Sequence, residues 1–180
     1  MRTTVQVAAE GDVAALAELR DGWTAETLDR VEDPSFAIRF DDWMAAQGAS
    51  RTFWIARDGG RPVGMVNMLV VERMPRPGRP ESRWGYLGNL FVVADHRRAG
   101  VGSLLVEAVL TDAASGGLER ILVHPNEPSQ PFWQRSPFEE ASDLLVYQLL
   151  CPRGRSRLVD RSLTTAPASP TPTRASRCRS

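Results

Sequence analysis

Leu90-Phe91-Val92-Val93-Ala94-Asp95-His96-Arg97-Arg98-Ala99-Gly100-Val101-Gly102-Ser103 is the stretch whose reading decides what this chain folds into. It closes a nearly continuous apolar run, Tyr86 to Val93, which predicts a strand covered on both faces. After the polar break from Asp95 to Gly100, Val101, Leu104, Leu105, Ala108 and Val109 recur at helical spacing. A helix should therefore start near Gly102 and end before Gly116 and Gly117. Successive N–H groups at a helix start form an anion cradle, and the helix dipole adds to it. Gly100 and Gly102 lack a Cβ, so a diphosphate could come close to the main chain there. A glycine-containing turn of this kind is also commonly no more than a tight connection with solvated arginines, so the glycines alone leave both readings open. The loop has neither the Lys-Ser/Thr ending of a P-loop nor the third glycine of a dinucleotide fingerprint.

Working outward, Thr52 to Arg57 and Pro62 to Val71 are rich in aromatic and β-branched residues and flank Asp58-Gly59-Gly60, a hairpin signal. Val5 and Val7 read as a first strand, with Asp12 at a helix N-cap followed by Val13, Leu16, Ala17 and Arg20 at helical spacing. One or two short helices are expected around Ala25 to Val31 and Phe36 to Ala46, with Pro34 between them. Pro75, Pro77 and Pro80 make Glu72 to Arg83 an exposed loop. Downstream, Ile121 to His124 reads as a short buried strand, Gln130 to Ser136 as a brief helix and Leu144 to Leu150 as a last strand. This is the element order of a mixed α/β domain.

The 180 residues suit one domain, and 42% hydrophobic with 24% charged residues is a globular composition. One catalytic domain over 1–151 is expected, followed by a disordered Arg/Ser/Thr/Pro-rich tail over 152–180, whose few large apolar side chains cannot offset ordering entropy. Zero net charge gives no support to a nucleic-acid partner. Cys151 and Cys178 stand outside the periodic sequence and no Cys/His cluster has ligand spacing, so neither a disulfide framework nor a metal site is expected. No run approaches the ~20 apolar residues of a membrane span, and the expected location is the cytoplasm.

Leu90 to Val93 followed by Arg97-Arg98-Ala99-Gly100-Val101-Gly102 resembles the cofactor motif of the GNAT family of N-acetyltransferases, Arg/Gln-x-x-Gly-x-Gly/Ala. Asn126 and Pro131-Phe132-Trp133-Gln134-Arg135-Ser136-Pro137-Phe138 resemble the family's second motif, an Asn followed by a Phe-Tyr-Glu-Arg-Leu-Gly-Phe-like run. The resemblance extends from about Val5 to Leu150. It implies a mixed, mostly antiparallel central sheet of about six to seven strands, flanked by helices, whose central strands splay to form an acyl-CoA groove. It further implies that acetyl-CoA is the co-substrate. Leu90, Phe91 and Val92 would offer main-chain groups to the pantetheine arm, and one N–H there would polarise the thioester carbonyl. Arg97, Arg98, Ala99, Gly100, Val101, Gly102 and Ser103 would hold the pyrophosphate, and Asn126 would bond the pantetheine side.

The sequence departs from the family pattern in two places. Trp133 stands at the usual Tyr position, and an indole N–H is no practical general acid for the leaving thiolate. Pro137 replaces the usual Gly, which fixes φ and removes a donor. A protonated amine cannot attack, so a base or water chain must help; the candidates are His124, Glu72, and Asn89 as a water-orienting group. Packing, or a polar cap on a strand, accounts equally for these residues. Glu26, Asp29, Glu32, Asp33, Asp41 and Asp42 fall where the resemblance implies one wall of the acceptor site, and an acidic wall would attract a cationic amine. The expected function is transfer of acetyl from acetyl-CoA to a primary amine, of a small molecule or a protein, by direct attack in a ternary complex. The alternative is a catalytically degenerate acyl-CoA-binding or regulatory module. A homodimer is also expected, on the resemblance alone.

Overall fold

The computed structural model describes residues 3–27, 32–48 and 50–147. Arg51 to Asp58 (β2) and Arg61 to Glu72 (β3) form the expected hairpin. Gly59 and Gly60 both adopt positive φ, +58° and +87°, the conformation a two-residue turn needs to match the twist of its strands. Thr4 to Val7 (β1) pairs antiparallel with β2, and Arg83 to Val92 (β4) antiparallel with β3. Arg120 to Val123 (β5) pairs with β4 in parallel. Among the described residues the sheet is thus five-stranded, in the order β1-β2-β3-β4-β5. The sixth strand expected over 144–150 does not form across 144–147, and 148–150 lie outside the described residues. Apolar, β-branched composition becomes a strand only where a sheet edge meets the backbone in register, and composition alone does not supply that.

Alternation along β2 and β3 divides the core between the two faces. Phe53, Ile55, Met65 and Phe91 pack with Leu16 and Leu19 of the helix Val13–Thr27 (α1), with Phe40 and Met44 of the helix Phe36–Gln47 (α2) beside them. Trp54, Ala56, Val63, Val66, Met68 and Leu87 pack with Val101, Leu105, Val106 and Val109 of the helix Val101–Ser115 (α3). Burial at about 25 cal/mol per Å² of apolar area is the term that holds these layers together.

Several local expectations are corrected. Asp12 does not begin the helix: it ends a one-turn 3₁₀ segment, Glu10–Asp12, and its carboxylate reaches back to accept the Ala9 N–H at 2.9 Å. That contact is half of a capping box, and Arg57 holds the other oxygen at 2.5 Å. No separate helix begins at Ala25, because α1 runs unbroken from Val13 to Thr27; 28–31 lie outside the described residues. β4 is not covered on both faces, since Tyr86 and Asn89 are exposed. β5 is half-buried rather than buried and ends at Val123, leaving His124 beyond it.

By contact, Met1–Glu139 forms one unit, to which all of the elements above belong, and Glu140–Ser180 another. Of the second unit, 140–147 are described and carry only a turn at Ser142 and Asp143. The expected disordered tail, Cys151 and Cys178 lie outside the described residues. No helix among the described residues is long and apolar enough to cross a membrane.

Candidate active site

Two irregularities in β4 shape the site. Asn67 faces Gly88 while Met65 faces Phe91, so β4 carries one residue more than β3 over this interval. The surplus is absorbed at Asn89, whose φ is +55°, and such a bulge bends the strand and re-aims the residues beyond it. On its other edge β4 meets β5 only from Trp84 to Leu87. Beyond that point β4 continues to Val92 with no β5 partner, and the chain after Val123 turns away toward a short helix, Gln130–Trp133 (α4). The opening between the two strands leads into a groove of about 870 Å³. Leu90 and Val92 form its floor, Gly100, Gly102, Ser103 and Val106 one wall, and Phe132, Arg135 and Pro137 the other.

The loop at the groove's upper end has the geometry of an anion nest. Arg98 and Gly100 both hold positive φ, +62° and +84°, which turns intervening N–H groups toward one side. The first-turn amides of α3 have no carbonyl four residues back, and no side chain caps Gly100. A Cβ built on Gly100 would meet nothing within 4 Å, so space remains there for an anion. Gly102 is glycine for a different reason: its Cβ would stand 3.2 Å from the Phe132 ring, which occupies the space it frees. These features fit a diphosphate.

The other predicted cofactor residues separate by strand and helix periodicity. Phe91 points to the opposite face and stacks on Trp23 at 5.7 Å. Val101 is core, and Ala99 does not line the groove. Arg97 lines the rim, where its Nε donates to the Val92 carbonyl at 2.8 Å and its guanidinium is paired with Glu26 of α1. It therefore braces the loop against the end of β4. Asn126 caps a 3₁₀ turn through Oδ1, which accepts the Ser129 N–H at 3.1 Å, and Ser129 rather than Asn126 reaches the groove wall.

His96 is held at the same rim, with Nδ1 2.9 Å from Asp95 and Nε2 3.3 Å from Asp58. The Asp95 hydrogen bond first, and the Asp58 bond second, raise its pKa above the ordinary imidazole value. Asp95 is lowered in turn by His96 and by Arg61. His96, Phe132 and Arg135 are groove residues that motif reading missed as site residues. The signal for the last two was their spacing of three, which puts both on one side of a helical turn.

Of the catalytic candidates, Asn89 stands exposed at the bulge and His124 follows Val123, the residue facing Leu87 where the two strands part. The structure brings these two to the same level of the sheet, where β5 ends. Glu72 is opposite Arg83 at the start of β4, about 17 Å from Asn67 at the ordinary strand rise. Trp133 is 8% exposed, contacts Phe132 and Phe138 edge-on at 5.1 and 5.2 Å, and lies in the α3-side core rather than in the groove wall. In the expected acidic wall, Glu26 pairs with Arg97, and Asp33 with Arg39 and Ser35. Asp29 lies outside the described residues.

Comparison with known proteins gives a family and a set of folds. The model of the acetyltransferase (GNAT) family matches residues 14–138. No curated protein matches the chain. Among solved structures, a predicted acetyltransferase from Clostridium acetobutylicum with acetyl-CoA has a TM-score of 0.66 at 14% identity, covering 83% of this chain and 97% of that one. A GCN5-related N-acetyltransferase from Ralstonia eutropha has 0.62 at 21%, covering 82% and 99%. A glucosamine-6-phosphate N-acetyltransferase from Arabidopsis thaliana has 0.61 at 14%, covering 84% and 100%. At these identities the likeness is one of fold.

Proposed function

Because the chain belongs to the acetyltransferase (GNAT) family, we propose that it moves the acetyl group of acetyl-CoA to a primary amine by direct attack in a ternary complex. The observation that carries this is the groove running from the nest at Arg98–Gly100 to the gap where β4 leaves β5. Its upper end suits a diphosphate. Its lower end exposes an edge of β4 that has no strand partner among the described residues, where main-chain groups from Gly88 to Val92 can hold an amide-like arm and polarise a carbonyl. Acetyl-CoA supplies the activated thioester. The protein supplies alignment, which converts an encounter of two small molecules into a local reaction.

The amine must reach this point deprotonated, and a lysine-like amine with a pKa near 10.4 is almost wholly protonated at neutral pH. Asn89 and His124 stand at the mouth of the opening, and a water held between the strand ends is the natural proton acceptor, with His124 as its base. Glu72 is too far along the sheet for that role. Buried Trp133 offers no acidic proton to the thiolate, which leaves solvent as its proton donor.

That same tryptophan is the observation favouring a second reading, a catalytically degenerate acyl-CoA-binding module. Isothermal titration with acetyl-CoA, beside a free-thiol assay over an amine panel, separates the readings. Saturable binding with amine-dependent thiol release is expected. Binding with no release for any amine assigns the module, and absence of binding overturns both.

A further inference from the structure

Arg51 opens β2 on the α1–α2 face of the sheet and differs from the arginines that form ion pairs. Arg39, Arg57, Arg61 and Arg97 each hold a carboxylate. Arg51 holds none among the described residues. Its Nη1 donates to Asn67 Oδ1 at 2.7 Å, its guanidinium carbon lies 5.4 Å from the centre of the Trp43 ring, and its buried Nε has no partner. Burial works against its charge. A partly desolvated cation left without an anion is costly, and in a binding protein a ligand can supply the missing partner.

The position of Arg51 joins it to the reaction. Asn67, 1% exposed, faces Gly88, the residue before the Asn89 bulge. The Cβ that Gly88 lacks would stand 4.0 Å from Asn67 Oδ1 and 3.9 Å from the Tyr86 ring, ordinary contact distances that place the Arg51–Asn67 pair beside the bulge. Asn67 therefore holds the guanidinium beside the level of the sheet at which β4 leaves β5, where the proposed transfer takes place. With Nη1 committed to Asn67 and Nε buried, Nη2 is the guanidinium nitrogen left without a partner among the described residues, and its charged N–H matches one oxygen of a carboxylate or phosphate. Glu10 and Asp41 line a recess beside Arg51, yet neither forms an ion pair with it.

Resting on the acetyl-transfer reading, we propose that Arg51, oriented by Asn67 and Trp43, selects acceptors that carry an oxyanion a few bonds from the reacting amine. Arg51 touches that anion and sets specificity, and Asn67 is a positioning residue. A polycationic amine is the disfavoured class.

The test compares acceptors of matched length with the full chain and saturating acetyl-CoA: 4-aminobutyrate, 3-aminopropyl phosphate, propylamine and spermidine. One of the two anionic amines should exceed propylamine in kcat/KM by at least ~10-fold, the scale of one charged hydrogen-bonded pair; whichever does so distinguishes carboxylate from phosphate. Arg51→Gln should raise KM for that acceptor ~10- to 100-fold and leave propylamine turnover and the acetyl-CoA KM within about twofold. Arg51→Lys, which keeps the charge but not the planar guanidinium that Asn67 and Trp43 hold, should fall between and serves if the glutamine variant does not fold. Better turnover of propylamine or spermidine, or an equal loss for all acceptors in the variants, overturns the proposal while leaving acetyl transfer intact. If no amine is turned over, the transfer reading fails. Titration of the acetyl-CoA complex with the two anionic amines then decides: binding weakened ~10-fold or more by Arg51→Gln supports the anion site, and no saturable binding removes it.

Discussion

Gly100 offers a clean perturbation, because its conformation and its surroundings make separate demands. Its φ of +84° and ψ of −3° lie in the left-handed region, where an L-residue other than glycine costs about 1–2 kcal/mol. An added Cβ meets no protein atom within 4 Å, so Gly100→Ala carries that conformational cost and no internal clash. For a chain of this size the cost corresponds to a fall in Tm of roughly 2–8 °C. The new methyl stands on the open side of the nest, where a diphosphate would otherwise touch main chain. Acetyl-CoA affinity should therefore fall as well, by about tenfold or greater, equivalent to about 1.4 kcal/mol or more. Gly100→Asn separates the two effects, since asparagine tolerates the left-handed region but still fills the nest: Tm should recover toward that of the parent while Kd stays weak. Isothermal titration at fixed salt and a thermal melt of each variant measure both quantities. Parent-like acetyl-CoA affinity in both variants would refute the phosphate nest, and an unchanged Tm in Gly100→Ala would refute the strain argument.

Three further outcomes are expected. Raising His96 above its ordinary pKa means that its protonated form is favoured by folding; this stability is fully present below about 6.5 and is lost as pH rises through the higher folded value. The Tm difference between parent and His96→Gln should accordingly shrink with rising pH, and a difference constant from pH 5.5 to 9 would exclude the role. Asp12 is lowered first by the Ala9 N–H and then by Arg57, so its contribution is present above about 3.9 and lost as pH falls through the depressed folded value. Asp12→Asn should cost about 1–2 kcal/mol at pH 7 and almost nothing near pH 2, as read by urea melts; equal losses at both would defeat the assignment. Trp133→Ala should cost about 3–5 kcal/mol, the range for emptying a large aromatic site, and a loss below 1 kcal/mol in denaturant titration would show that Trp133 is not part of the core.

The local signals in the sequence carried far because short-range chemistry governs them. Gly59-Gly60 specified a turn whose positive φ only glycine adopts freely, and the recurrence from Val101 to Val109 specified a helix with one buried face. The same logic placed the glycine loop between β4 and α3. Where a reading depended on partners distant in sequence, it failed or was incomplete. Residues 144–147 have strand composition without strand pairing, and Tyr86 lies in an apolar run yet is exposed.

What the amino-acid order determined by itself is the hairpin, the central helix, the glycine loop at its head and, through the loop motif, the family. Tertiary structure alone decided which of those residues face the groove, that Gly102 makes room for Phe132, that Glu72 lies several residues along the sheet from the level of His124, and that Arg51 meets Asn67 but no acid among the described residues. The reason is physical: torsional preference and periodicity act over a few neighbouring residues and are written in the chain. Burial and ion pairing depend on what is brought alongside from tens of residues away, and that is settled only when the sheet closes its register.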